Sequence, residues 1–207
     1  MVRLILVRHG QTDANLHRLI QGQSNGPLNA TGREQVEILG KRLQGVHIDQ
    51  IIASPLQRAY DTACAIARYQ HLDVVCSTAI VEWNCGELDG LPADEFHEQV
   101  RGSNLLLSQF RPMGGETLTE VRQRAGIFMN EVLAHYDQQT VLICSHGDFL
   151  RTFVSLMRGI TIEEASSIHF DNASCSVANH ADGKWEITAL NQPALTQALD
   201  GLSPRVS

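Results

Sequence analysis

The sequence predicts a single-domain α/β protein: a mostly parallel sheet with helices on both faces and an antiparallel hairpin near its C-terminal end. Three observations predict it. The apolar runs Leu4-Ile5-Leu6-Val7 and Val141-Leu142-Ile143-Cys144 have the length and continuity of strands buried on both faces. Strand-like and helical periods alternate along the chain, the pattern of a parallel sheet covered by helices. Late in the chain, Asp182-Gly183 separates two alternating segments, which is a hairpin signal.

The elements follow in order. The first strand ends at Arg8-His9-Gly10, and residues 11–29 are polar and Gly-rich without a period, a loop long enough to imply a function. Thr31-Gly32-Arg33-Glu34 has the form of a capping box, with Val36, Leu39, Gly40 and Leu43 following at helical spacing. Residues 49–53 read as a second strand. Ser54 as N-cap and Pro55 at the first helical position then start a helix through Ala67. A third strand is expected over 72–76. Residues 82–115 are irregular, with a helical stretch near 94–109 and a break at Gly114-Gly115. Thr117-Leu118-Thr119-Glu120 starts a long amphipathic helix reaching about Tyr136. A strand over 140–144, a helix over 148–158 and hairpin strands over 174–180 and 184–190 complete the domain, and Pro193 onward reads as a tail. No internal repeat or low-complexity segment is present.

Composition narrows the class. The 207 residues are 43% hydrophobic and 19% charged, which suits one soluble globular core. A net charge of −7 argues against a general nucleic-acid or anionic-membrane surface while leaving room for a local anion pocket. The apolar run before Arg8 is too short for a signal peptide or membrane span. The five cysteines form no CxxC pair, and four of them lie in apolar segments as small core residues. A reduced, cytoplasmic protein is the expectation.

The two apolar runs each end in a His-Gly pair, and open α/β sheets bind ligands at the carboxyl ends of their strands. His9 and His146 are therefore expected at one sheet edge. A neutral imidazole is a competent nucleophile toward phosphorus, and the adjacent Arg8 guanidinium can grip phosphate oxygens. Gly10 would let the backbone approach a ligand. Arg58 falls in the first turn of its helix, where free N–H groups favour an anion and a bound phosphate would offset the unfavourable dipole. His146-Gly147 offers a second imidazole and backbone donors. Each feature alone also fits a structural histidine or a solvated arginine. The nine histidines include no HExxH and no close His/Asp ligand spacing, so no catalytic metal is expected.

In order along nearly the whole chain stand Arg8-His9-Gly10 with Asn15, Gln21-Gly22, Leu28-Asn29-Ala30-Thr31-Gly32 and Ser54-Pro55-Leu56-Gln57-Arg58 with Thr62-Ala63. Glu82, Gly114-Gly115-Glu116-Thr117, Ser145-His146-Gly147 and Asn172-Ala173-Ser174 follow. This ordered set resembles the histidine phosphatase superfamily, which includes cofactor-dependent phosphoglycerate mutase. The resemblance implies a phosphoglycerate mutase-like domain over 1–192, with 83–115 as a substrate-capping insertion and 193–207 as tail. It implies that His9 becomes a phosphohistidine and that Arg8, Arg58 and His146 surround the phosphoryl oxygens. Asn15 and the Gly147 amide would be further donors, with Gln21 and Gly22 also on the substrate. Glu82 would protonate the leaving alkoxide and then deprotonate water. The chemistry agrees: phosphoryl transfer needs fixed donors around the equatorial oxygens and a carboxyl of raised pKa for the leaving group. Glu82 is preferred over Glu87, Asp89 and Glu116 because it follows Ala79-Ile80-Val81, an apolar stretch that would bring it to a strand end.

The resulting expectation is a metal-independent, cofactor-free phosphomonoesterase acting on a small phosphorylated metabolite, with the oligomeric state open and a homodimer, common among relatives, the one considered. A phosphoglycerate mutase is the alternative, and a non-catalytic phosphate-binding regulator is disfavoured because every catalytic position holds a competent residue. Family mutases usually continue after the acid with Arg-His-Tyr-Gly and a longer basic insertion. This chain reads Trp83-Asn84-Cys85-Gly86 there, with only Arg101 and Arg111 as arginines before Glu116. Phosphoserine, sugar phosphates, nucleoside or ribazole phosphates and phosphoglycerates all stay open as substrates.

Overall fold

A computed structural model describes residues 1–194; the remainder of the expected tail, 195–207, lies outside the described residues. Six strands form one sheet: β1 (Val2–Arg8), β2 (Gln50–Ala53), β3 (Val74–Cys76), β4 (Thr140–Ser145), β5 (Cys175–Ala181) and β6 (Lys184–Gln192). Their spatial order is β3-β2-β4-β1-β5-β6. The first four run parallel, and β5 and β6 are antiparallel to their neighbours. The β5–β6 hairpin turns at Asp182 and Gly183, both with positive φ, as Asp-Gly favours.

β1 explains why its sequence alternates so little. Leu4 and Leu6 enter one core, with Phe128, Phe149 and Phe153. Ile5 and Val7 enter the other, with Leu39, Leu43 and Ile66. The first core is covered by α5 (Leu118–His135) and α6 (Gly147–Arg158), the second by α2 (Ala30–Leu43) and α3 (Gln57–Gln70). Shorter helices are α1 (Asp13–Leu16), inside the segment read as loop, α4 (Ala93–Gly102) and α7 (Ile162–Ala165). Among the described residues no helix is long and apolar enough to cross a membrane.

Several boundaries differ from expectation. The capping box at Thr117 and Glu120 forms as read, but α2 starts earlier than Thr31 because Asn29 caps it, accepting from Gly32 N at 2.8 Å. Asn29 is fixed there by its own N–H donating to Gln11 O. Likewise α3 begins at Gln57, with Leu56 in the cap position; Ser54 N continues the β2 ladder to Cys144 O, and its hydroxyl accepts from Leu56 N at 3.3 Å as well as lying 2.8 Å from His146 Nε2. β3 is a short, half-exposed edge strand following left-handed His71. Residues 78–80 form a 3₁₀ turn rather than strand. Cys144 and Cys175 are core residues as read, but Cys76 is exposed and Cys64 only partly covered, while Cys85, outside those segments, is buried.

Candidate active site

β1 and β4 are neighbours, and Arg8 pairs in register with Ser145. The next residue on each strand is thus a histidine at the same sheet edge. The His9 and His146 ring centroids lie 5.2 Å apart, and both side chains are buried. Gly10 serves packing: a Cβ there would stand 2.8 Å from Gly32 O and from Val36 Cγ1, so the glycine lets β1 run out against α2.

His9 Nδ1 lies 2.7 Å from the Gly10 carbonyl oxygen. A carbonyl only accepts, so Nδ1 carries the proton and Nε2 keeps its lone pair. Burial, then the Arg58 and Arg8 charges, hold the His9 pKa well below 6.5. His146 is depressed likewise by burial and by Arg58, and its Nε2 lies 2.8 Å from Ser54 Oγ.

Arg58, in the first turn of α3, is fully buried and donates to Ser24 O at 2.8 Å and Gly22 O at 2.6 Å. Burial lowers its pKa to about 10. Arg8 donates to Phe170 O. Three buried nitrogens of this cluster, Arg8 Nε, Arg58 Nε and His146 Nδ1, have no hydrogen-bond partner among the described residues. Buried polar atoms are nearly always paired, and buried positive charge is costly without an anion.

Glu82 follows the 3₁₀ turn, which is tied to the sheet edge by Ser145 Oγ donating to Ile80 O at 2.7 Å. Arg124 holds the Ala79 and Glu82 carbonyls from α5. The Glu82 carboxyl accepts from Trp83 N and Phe149 N, each at 2.9 Å, and from Asp148 N at 3.2 Å. Burial and the neighbouring Asp148 raise its pKa, against these N–H groups. So it reaches the expected edge from a turn instead of a strand. Of the competing carboxyls, Glu87 is exposed, Asp89 accepts from Gly22 N and Ser24 N, and Glu116 pairs with Arg124.

A cleft of about 330 Å³ opens beside Arg8, His9 and Glu82, with Asn15, Gln21 and Gly147 in its wall. Arg58 and His146 lie one layer deeper. Gly22 is not in the wall: its carbonyl holds Arg58, and its N–H is held by Asp89. Sequence reasoning gave Ser54 only a capping role and Asn172 only a place in a motif. Asn172 Nδ2 donates to His9 O and Asn15 Oδ1. Ser54 follows β2 as His9 follows β1, so extending the strand-end rule to the second strand would have found it. A larger hollow, about 620 Å³, between α2 and α3 contains no histidine. Among the described residues no three His, Cys, Asp or Glu side chains gather as metal ligands would.

The neutral imidazoles carry a stability consequence. Unfolded, each would bind a proton near pH 6.5; folded, each refuses it to a much lower pH. Stability therefore falls as pH drops below about 6.5, by roughly 1.4 kcal/mol per pH unit for each histidine. Glu82, with its raised pKa, acts oppositely and loses stability as pH rises through its folded value. The histidines outnumber it, so the urea midpoint is expected to be lower at pH 5.5 than at pH 7.0. An unchanged midpoint would contradict buried neutral imidazoles.

One family model, that of the histidine phosphatase superfamily (branch 1), matches residues 4–193, from β1 past the end of β6. The chain belongs to that superfamily. It is 32% identical over 195 residues to phosphoserine phosphatase 1 of Hydrogenobacter thermophilus, covering 92% of each chain. Probable phosphoglycerate mutase GpmB of Salmonella paratyphi A is 29% identical over 212 residues, covering 95% of this chain and 99% of the relative. Among solved structures, a mycobacterial glucosyl-3-phosphoglycerate phosphatase in complex with VO3 superposes with a TM-score of 0.83 at 26% identity, covering 92% of this chain and 98% of that one. Phosphatases and phosphoglycerate mutase-like proteins thus share the fold read from the sequence.

Proposed function

We propose that this histidine phosphatase superfamily member is a metal-independent phosphomonoesterase that hydrolyses a small phosphorylated metabolite through a phosphohistidine on His9. The observation that carries this is the His9 ring, fixed as the Nδ1–H tautomer by Gly10 O beside two buried arginines whose Nε atoms have no hydrogen-bond partner among the described residues. In the first step His9 Nε2 attacks phosphorus. The N–P bond forms, the P–O bond to the alcohol breaks, and the Glu82 proton passes to the departing oxygen. In the second, Glu82 takes a proton from water, the water oxygen attacks phosphorus, the N–P bond breaks and phosphate leaves. Arg8 and Arg58 neutralise charge on the equatorial oxygens while His146, Asn15 and the Gly147 amide donate hydrogen bonds to them, the work a metal does elsewhere. Residues 83–115 cover the alcohol, with Trp83, Phe96 and Leu107 in the cleft wall.

Water is favoured as acceptor over a sugar acid by where the insertion's arginines lie. Arg101 is exposed at the end of α4, and Arg111 pairs with Glu120 at 2.7 Å; neither lines the cleft. After exhaustive dialysis against EDTA, the enzyme should release inorganic phosphate from phosphomonoesters at an undiminished rate. Given 3-phosphoglycerate with a trace of 2,3-bisphosphoglycerate, it should form no 2-phosphoglycerate. Activity abolished by EDTA and restored by a divalent cation would overturn the metal-independent reading. Isomerisation faster than phosphate release from any ester would make the enzyme a mutase.

A further inference from the structure

Beyond the phosphoryl-binding groups the cleft wall is mainly apolar, with Gln21, His97, Asp148, Arg151 and His169 as its polar side chains. Leu19 and Ile20 contribute from the segment after α1, Trp83, Phe96 and Leu107 from the insertion, and Phe170 from the turn before β5. This wall is preformed. Ile20 N donates to Leu91 O and Gly90 N to Ile20 O, both at 2.8 Å, which locks the α1 segment against the insertion. Trp83 and Phe96 meet edge to face at 5.3 Å, with Phe110 behind Phe96 at 6.0 Å. Leu19, Ile20 and Leu107 are nevertheless only partly buried, leaving apolar surface toward the cleft.

The polar groups of the same wall offer little to a hydroxylated or charged alcohol. Arg151 pairs with Asp148 and also donates to Ile168 O, while His169 lies 3.1 Å from Asp171. The Asn15 side-chain oxygen accepts from Thr12 N and Asn172, and that of Gln21 accepts from Thr12 Oγ1. A carboxylate there would find no uncompensated cation. Beyond those engaged groups a polyol would meet only the Asn15 and Gln21 amide N–H groups and the exposed His97 ring against Phe96, so most of its hydroxyls would be buried against hydrocarbon, a costly loss of hydration.

We infer that the leaving group is an uncharged, apolar alcohol, aliphatic or aromatic, whose hydrocarbon part covers Leu19, Ile20, Phe96 and Leu107. This rests on the phosphomonoesterase reading and goes beyond it by naming the substrate class. Burying even one or two methylenes or a ring face against such a wall discriminates by roughly tenfold or more.

The test compares 2-phenylethyl and benzyl phosphate with glycerol 3-phosphate, O-phosphoserine and 3-phosphoglycerate, all esters of alkanols. The apolar esters should show kcat/KM at least about tenfold higher than the polar three, chiefly through lower KM. Leu107→Asn and, separately, Leu19→Asn should erode that advantage severalfold while costing glycerol 3-phosphate less. Equal or better turnover of any polar ester, or equal losses on both kinds in each variant, overturns the inference while leaving the hydrolase reading standing. If no ester is turned over, the hydrolase reading fails, and binding still decides the inference. Calorimetry should then show 3-phenylpropylphosphonate binding at least tenfold tighter than 2-amino-4-phosphonobutyrate, and the reverse order refutes it.

Discussion

A His9→Ala variant is expected to lose turnover on every phosphomonoester by about 10⁴-fold or more, the scale on which removal of a covalent nucleophile leaves only binding and electrostatics. The expectation follows from geometry. Gly10 O fixes the ring so that Nε2 is the unprotonated nitrogen, and burial, then the Arg58 and Arg8 charges, push the imidazole pKa well below 6.5. The nearest other imidazole, His146, has its Nε2 held by Ser54 Oγ. The variant should stay folded, since the alanine removes a polar ring rather than core packing, and thermal melting checks this. It should still bind inorganic phosphate, because Arg8, Arg58 and His146 remain. A folded His9→Ala enzyme with turnover within tenfold of the parent would show that another group attacks phosphorus.

Substitution of Glu82 carries the second large effect, and it should depend on the leaving group. General acid help is worth about 10²–10⁴-fold, so Glu82→Gln should lose about that much on an alkyl phosphate. On para-nitrophenyl phosphate, whose leaving group needs little protonation, the loss should be much smaller. The pH profile separates this from mere damage to the site. Glu82 must hold its proton to act as an acid, and burial with Asp148 nearby raises its pKa above the usual carboxyl range. Activity on an alkyl ester should therefore fall on the alkaline side as that proton is lost, and the Gln variant should lack this limb. Equal losses on both substrates with the limb intact would assign the proton to a different group.

The parts of the site that lie on the sheet edge were legible in the sequence; those made by tertiary contact were not. Arg8-His9 and His146 were readable because β1 and β4 are buried on both faces, which writes them as unbroken apolar runs with conspicuous ends. Glu82 was preferred over its neighbours as a strand-end carboxyl, and it does stand at the sheet edge, but residues 78–80 before it form a 3₁₀ turn and not a strand. What brings the carboxyl to the edge is Ser145 Oγ holding Ile80 O, a contact between residues 65 positions apart that no local pattern records. Asp89 shows the same limit. As a sequence feature it is one of several loop acids, whereas in the fold it clamps Gly22 and Ser24, whose carbonyls hold Arg58. Ser54 was read as a cap because Ser-Pro is a good helix start. Its hydroxyl does accept from Leu56 N, but the β2 ladder runs through its N–H and also delivers that hydroxyl to His146.

The central claim is a covalent phosphohistidine at His9, and trapping it is the direct measurement. Enzyme mixed with a ³²P-labelled phosphomonoester and quenched in alkaline detergent within a turnover should carry label that survives base and is released by mild acid. Peptide mapping should place it on residue 9, and His9→Ala should carry none. Label that resists acid, label retained in His9→Ala, or no label at all while the ester is hydrolysed would each contradict the mechanism.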